Sequence, residues 1–114
     1  MPLIKLKTTS QLSKTQQKEL LTELSTLLAK KLGKPEAYVM SIIENNAIMM
    51  SGEEGDAAFA EIKSIGGLNP EVNSSISQDL CSLLDEHLEI PQDRVYINFI
   101  DIAPNNWGFN GSTF

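Results

Sequence analysis

Leu20-Leu21-Thr22-Glu23-Leu24-Ser25-Thr26-Leu27-Leu28-Ala29-Lys30-Lys31-Leu32-Gly33-Lys34-Pro35 has a counterpart in Ile76-Ser77-Gln78-Asp79-Leu80-Cys81-Ser82-Leu83-Leu84-Asp85-Glu86-His87-Leu88-Glu89-Ile90-Pro91. The shift is 56 residues, and it holds outward in both directions. Leu6 meets Ile62, Leu12 meets Leu68, and Val39 meets Val95, with no insertion between the halves. Two copies make a pseudo-repeat, whereas a solenoid needs at least three.

Within each copy the apolar residues recur at helical spacing and form one stripe. Ser13 with Gln16 makes a capping box before the first helix, and Gly33 then Pro35 stops it. Asn69-Pro70 caps the second helix with proline at its first position, and Pro91 marks its end. Strands are predicted over residues 3–8, 38–43, 57–64 and 95–102. Each unit therefore reads strand, helix, strand, with boundaries near residues 2–46 and 57–102. Parallel strands joined through a helix cross over right-handed, which puts both helices on one face of the sheet. The expected fold is α/β (α+β): one domain over residues 1–114, a four-stranded mixed sheet, two helices on one face and short edge strands.

This arrangement leaves the other sheet face bare. Val95, Ile97 and Phe99 point one way along the last strand, and Tyr96, Asn98 and Ile100 the other. No remaining segment is large enough to cover Tyr96 and Ile100. An exposed patch of that kind favours association, so an oligomer with sites at subunit boundaries is expected.

At the other end of the chain, Met1-Pro2 runs straight into the first strand. With Met1 trimmed, the chain begins with a secondary amine on an ordered element. An α-amino group titrates at roughly 7.7–8.0 and burial lowers it, which makes such an amine a candidate general base.

Composition narrows the alternatives. Nine basic against fifteen acidic residues give a net charge of −6, and no basic patch suits nucleic acid. No apolar run approaches the ~18 residues of a membrane span, and no secretory signal pattern is present. A cytoplasmic protein is expected, or one secreted without a signal peptide. Cys81 stands alone, excluding an intrachain disulfide or a Cys-x-x-Cys motif, and His87 is the only histidine. No metal site is expected.

The stretch Asp93-Arg94-Val95-Tyr96-Ile97-Asn98-Phe99-Ile100-Asp101, with Asn106-Trp107-Gly108-Phe109-Asn110-Gly111-Ser112-Thr113-Phe114, resembles the macrophage migration inhibitory factor and D-dopachrome tautomerase family. Met1-Pro2, Gly33-Lys34-Pro35 with Tyr38, and Ser64-Ile65-Gly66 fit the same pattern. The resemblance implies a homotrimer of doubled β-α-β units with an active site in each groove between subunits. It implies cofactor-independent keto–enol tautomerisation of phenylpyruvate-type α-keto acids and D-dopachrome-like compounds, with Pro2 as base. Lys34 would pair with the substrate carboxylate, and the Ser64-Ile65 segment would offer the Ile65 N–H. Tyr96 and Asn98 would come from the neighbouring subunit, with Tyr38, Trp107, Phe109 and Phe114 as aromatic walls. A keto–enol exchange needs a base poised near neutrality, stabilisation of a developing enolate and partial exclusion of water; these residue types meet all three.

Other readings compete. A lysine just past a helix end meets the helix dipole favourably, as Lys34 would without its Gly-Lys-Pro context. Cys81 reads as a small core hydrophobe, His87 as a dipole partner and Glu53-Glu54 as a solvated turn. Ala57-Ala58-Phe59-Ala60 stands where some relatives carry Cys-x-x-Cys, so thiol oxidoreductase activity is not expected. Lys63 near the mouth, with Trp107 and Phe109, departs from the pattern. The functional alternatives are a cytokine-like interaction protein with a vestigial pocket and a protein receptor, or a related decarboxylase or hydratase.

Overall fold

The computed structural model describes residues 1–114. Both helices begin on the caps the sequence supplies. Ser13 accepts from the Gln16 N–H while the Gln16 side chain accepts from the Ser13 N–H, which closes the capping box of α1 (Lys14–Leu32). Asn69 accepts from the Val72 N–H at the start of α2 (Pro70–Leu88). The strands are β1 (Pro2–Thr8), β2 (Met40–Asn45), β3 (Ala58–Ser64) and β4 (Val95–Asp101). α1 and α2 are offset by the same 56 residues as the sequence repeat.

Each helix ends on a residue in the left-handed conformation. Gly33 (φ 62°) does so without a Cβ penalty, but its equivalent Glu89 (φ 56°) carries one. After α1 the chain does not enter a strand at Tyr38 as expected. Pro35 sets a 3₁₀ turn, Glu36–Tyr38, in which the Tyr38 and Val39 N–H groups donate to the Pro35 and Glu36 carbonyls. β2 therefore starts at Met40, which leaves Tyr38 at the end of the sheet.

The sheet order is β2-β1-β3-β4, parallel in the outer pairs and antiparallel between β1 and β3. The central register pairs Lys5 with Glu61, its own equivalent in the repeat. A local two-fold axis therefore passes between these two residues. Ile4, Leu6, Ala60 and Ile62 face the helices and meet Leu20, Leu24 and Leu28 of α1 and Ile76, Leu80 and Leu84 of α2. Each leucine or isoleucine among them contributes about 1.5–3 kcal/mol by leaving water. Ile90, beyond the second helix, joins the same core.

The opposite face is uncovered within the chain. Across it run the registered rows Met40–Leu3–Lys63–Ile100, Ile42–Lys5–Glu61–Asn98 and Glu44–Lys7–Phe59–Tyr96. Tyr96 is 66% exposed and Met40 59%. The short strands β5 (Gly108–Phe109) and β6 (Ser112–Thr113) pair with each other as a separate hairpin. Asn110 and Gly111 both have positive φ, as a tight hairpin turn requires.

The loop containing Glu53 and Glu54 is a turn, as the sequence predicts, and it is held by a cation. Arg94 donates to the carbonyls of Met50, Glu53 and Asp56 at 2.9, 3.2 and 3.1 Å. No helix is long and apolar enough to cross a membrane.

Candidate active site

Proline can open β1 because the first residue of a strand can do without its ladder N–H. Pro2 is buried on the helix side, opposite Ser64 in the register. Immediately before it, the Met1 carbonyl accepts from the Ile65 N–H at 3.3 Å. Lys34 follows the Gly33 cap, its own N–H donating to the Ala29 carbonyl at 3.1 Å. Its Nζ donates to the Ile65 carbonyl. The turn above it must pass close to the lysine stem. A Cβ on Gly67 (φ 83°) would stand 3.6 Å from Lys34 Cε and 3.5 Å from Leu32.

β4 locks that turn in place. Asp101 accepts from the Gly66 N–H at 2.8 Å, and the Ile102 N–H donates to the Ser64 carbonyl at 2.9 Å. The Ser64 hydroxyl is buried and donates to the Gly66 carbonyl at 2.7 Å. Ser64 thus holds the turn rather than presenting its side chain to the cleft. Burial first, and then the Lys34 ammonium, push the terminal amine below its ordinary value.

In front of Pro2 lies a cleft of about 500 Å³. Aromatic side chains form one wall. Phe109 and Phe114 stack with ring centroids 5.4 Å apart, and Tyr38 meets Phe109 edge-on at 6.4 Å. The hairpin brings them there: the Phe114 N–H donates to the Trp107 carbonyl at 3.2 Å, folding the tail back beside Trp107. Leu3, Val39, Met40 and Ile102 supply aliphatic surface, and Asn106 a polar rim.

Pro2, Tyr38, Trp107, Phe109 and Phe114 therefore share one cleft, and Lys34 and Ile65 flank Met1 behind it. Tyr96 and Asn98 do not join them within the chain. Both lie on the open sheet face, and Tyr96 pairs with Phe59, five residues along β4 from Asp101. At about 3.3 Å per residue that is roughly 16 Å away.

Lys63 also lines the cleft and is the only residue there with a charged side chain. It was not among the expected ligands. Register finds it, because Lys63 pairs with Leu3 on the open face, one position from Pro2. No site role is expected for Ile102 or Asn106 from the sequence, and both enter through the path of the tail.

The sequence pattern of macrophage migration inhibitory factor matches residues 1–114. The chain belongs to the macrophage migration inhibitory factor family. It is 43% identical over 95 residues to a macrophage migration inhibitory factor homologue of Brugia malayi, covering 82% of this chain and 83% of the relative. It is 44% identical over 96 residues to macrophage migration inhibitory factor of Xenopus tropicalis, with 83% and 84% covered. Among solved structures, a macrophage migration inhibitory factor homologue from Prochlorococcus marinus superimposes with a TM-score of 0.92. That pair shares 38% identity over 98% of each chain. The two helices, the four-stranded mixed sheet and the small hairpin are thus a family architecture.

Proposed function

We propose that the cleft is the active site of a cofactor-independent keto–enol tautomerase whose general base is the amine of Pro2. The observation that carries this reading is the docking of the chain start. Met1 sits with its carbonyl on the Ile65 N–H and its amine beside Lys34, at the back of an aromatic-lined cleft. With Met1 in place, the Pro2 nitrogen is an amide and cannot take a proton. Once whatever precedes Pro2 is removed, a secondary amine stands at the same end of β1, and the Ile65 N–H is free to donate to a ligand. Burial and then Lys34 lower the Met1 amine at this place, which supports the same direction for an amine one residue further in, keeping more of it as free base near neutrality.

The substrate class is an enolisable α-keto acid such as phenylpyruvate, or a D-dopachrome-like compound. Lys34 anchors the carboxylate. Pro2 takes the proton from the carbon next to the carbonyl, the C–H pair becomes the C=C bond, and the carbonyl oxygen gains a proton. No electron leaves the system. The Ile65 N–H and the lysine stabilise the developing oxyanion, and the aromatic wall holds the aryl group and excludes water. The bare sheet face supports a homotrimer, in which Tyr96 and Asn98 of one subunit complete the cleft of the next.

The test is phenylpyruvate tautomerisation by the wild type, with Met1 absent by intact mass, against Pro2→Gly. The variant is expected to lose about 10²–10³ in kcat/KM. Equal rates would remove Pro2 from catalysis. A processed wild type without activity would favour the cytokine-like interaction protein with a vestigial pocket.

A further inference from the structure

We infer that Lys63 is a specificity determinant that binds a second anionic group of the substrate, so that the cleft prefers α-keto acids with a distal carboxylate over those without one. The inference rests on the tautomerase reading and deepens it.

Three observations carry it. Lys63 is the only charged side chain lining the cleft, whose surface is otherwise largely apolar and aromatic. An ammonium beside such walls is less well solvated than one in open water, so a bound anion gains more there than on a free surface. Its one ionic partner is weak: Glu61 lies 3.9 Å away, two residues along the same strand, and the Lys63 side chain keeps a third of its exposure. A ligand carboxylate can therefore engage Lys63 without breaking a tight internal pair.

The third observation is placement. Pro2 pairs with Ser64, and the next pair along the ladder is Leu3 with Lys63. Ser64 turns to the helix side, so Lys63 turns to the open face. Lys34 follows α1 and reaches the 65–67 turn from the helix side. The two lysines thus bracket the start of β1 from opposite faces of the sheet. One carboxylate on each, with an aryl group against the Phe109–Phe114 wall of the cleft, describes a ring-substituted arylpyruvate. The cleft volume suits a ligand of that size.

The experiment compares 4-carboxyphenylpyruvate with phenylpyruvate in the processed wild type, Lys63→Met and Lys63→Arg. The readout is the ratio of kcat/KM for the two substrates. Lys63→Met is expected to lower that ratio about tenfold, mainly through KM, as loss of one charge-assisted hydrogen bond predicts. Lys63→Arg is expected to restore most of it. An unchanged ratio in Lys63→Met overturns the inference, and so does an equal loss on both substrates, which would make Lys63 structural. If the wild type converts neither compound, the tautomerase reading fails. Binding of the unreactive 4-carboxycinnamate against cinnamate then decides on Lys63 separately. A wild-type preference for the diacid that vanishes in Lys63→Met supports the charge contact; no preference sinks it.

Discussion

The two helix ends provide a matched pair of perturbations. Gly33 and Glu89 occupy equivalent positions with nearly the same backbone, φ 62° and ψ 35° against φ 56° and ψ 34°. An L-residue with a Cβ loses about 1–2 kcal/mol in that conformation. Replacing it by glycine removes this strain but adds roughly 0.5–1 kcal/mol of chain entropy to the unfolded state. Glu89→Gly is therefore expected to stabilise the fold by about 0.5–1 kcal/mol. The upper end is favoured because the change also removes an anion from the negative end of α2. Gly33→Ala is expected to lose a similar amount. A Cβ at Gly33 would meet nothing within 4 Å, so no clash confounds the comparison. Urea unfolding at one fixed protein concentration is the assay, because subunit association would otherwise shift the midpoint. The midpoints should move in opposite directions with unchanged slopes. A destabilised Glu89→Gly would refute the strain argument, and a stabilised Gly33→Ala would refute its counterpart.

Lys34→Met removes the charge that helps hold the Met1 amine below its ordinary value. On the proposed mechanism the Pro2 amine takes that place and works as free base, so the acid limb of the kcat/KM profile should move to higher pH; an unmoved limb, with Lys34→Arg as the charge-retaining control, would rule out the coupling. Arg94→Ala deletes the three bonds to the 50–56 loop, and about 2 kcal/mol of local stability should go with them. Hydrogen exchange should quicken at the Met50 and Glu53 amides and stay slow in β1; equal rates in variant and wild type would show that the loop holds itself. Partial burial raises the Cys81 thiol, so iodoacetamide at neutral pH should label it more slowly than a free thiol. Fast labelling of the folded chain would contradict that placement.

The repeat made most of the fold legible. Side-chain period, Ser13, Asn69 and the paired prolines locate both helices, because caps and stripes are local and the second copy checks the first. The start of β2 was not legible, since the turn that Pro35 sets runs on through Tyr38 and delays the strand to Met40. For the site, Pro2, Lys34 and the aromatics are visible through family pattern, which also puts Lys63 near the mouth, whereas the cleft wall that Lys63 shares with Leu3, Ile102 and Trp107 exists only because β3 pairs with β1 and the tail folds back across the sheet end. Those are contacts between residues far apart in sequence, and no local signal encodes them. Tyr96 and Asn98 are further removed still: nothing within one chain brings them near Pro2.

The axis between Lys5 and Glu61 turns each β-α-β unit onto the other, so every position at the Pro2 end of the sheet has a twin at the opposite end. The twin of Pro2 is Ala58, and the twin of Lys34 is Ile90; both are buried, and both lie in mid-chain. A side chain can be copied when a unit is joined in tandem, but a terminus cannot. Chemistry that needs a terminal amine is therefore open to only one of the two units, whatever residues the other carries. In the second unit the twin place is closed by aliphatic carbon, Ala58 and Ile90.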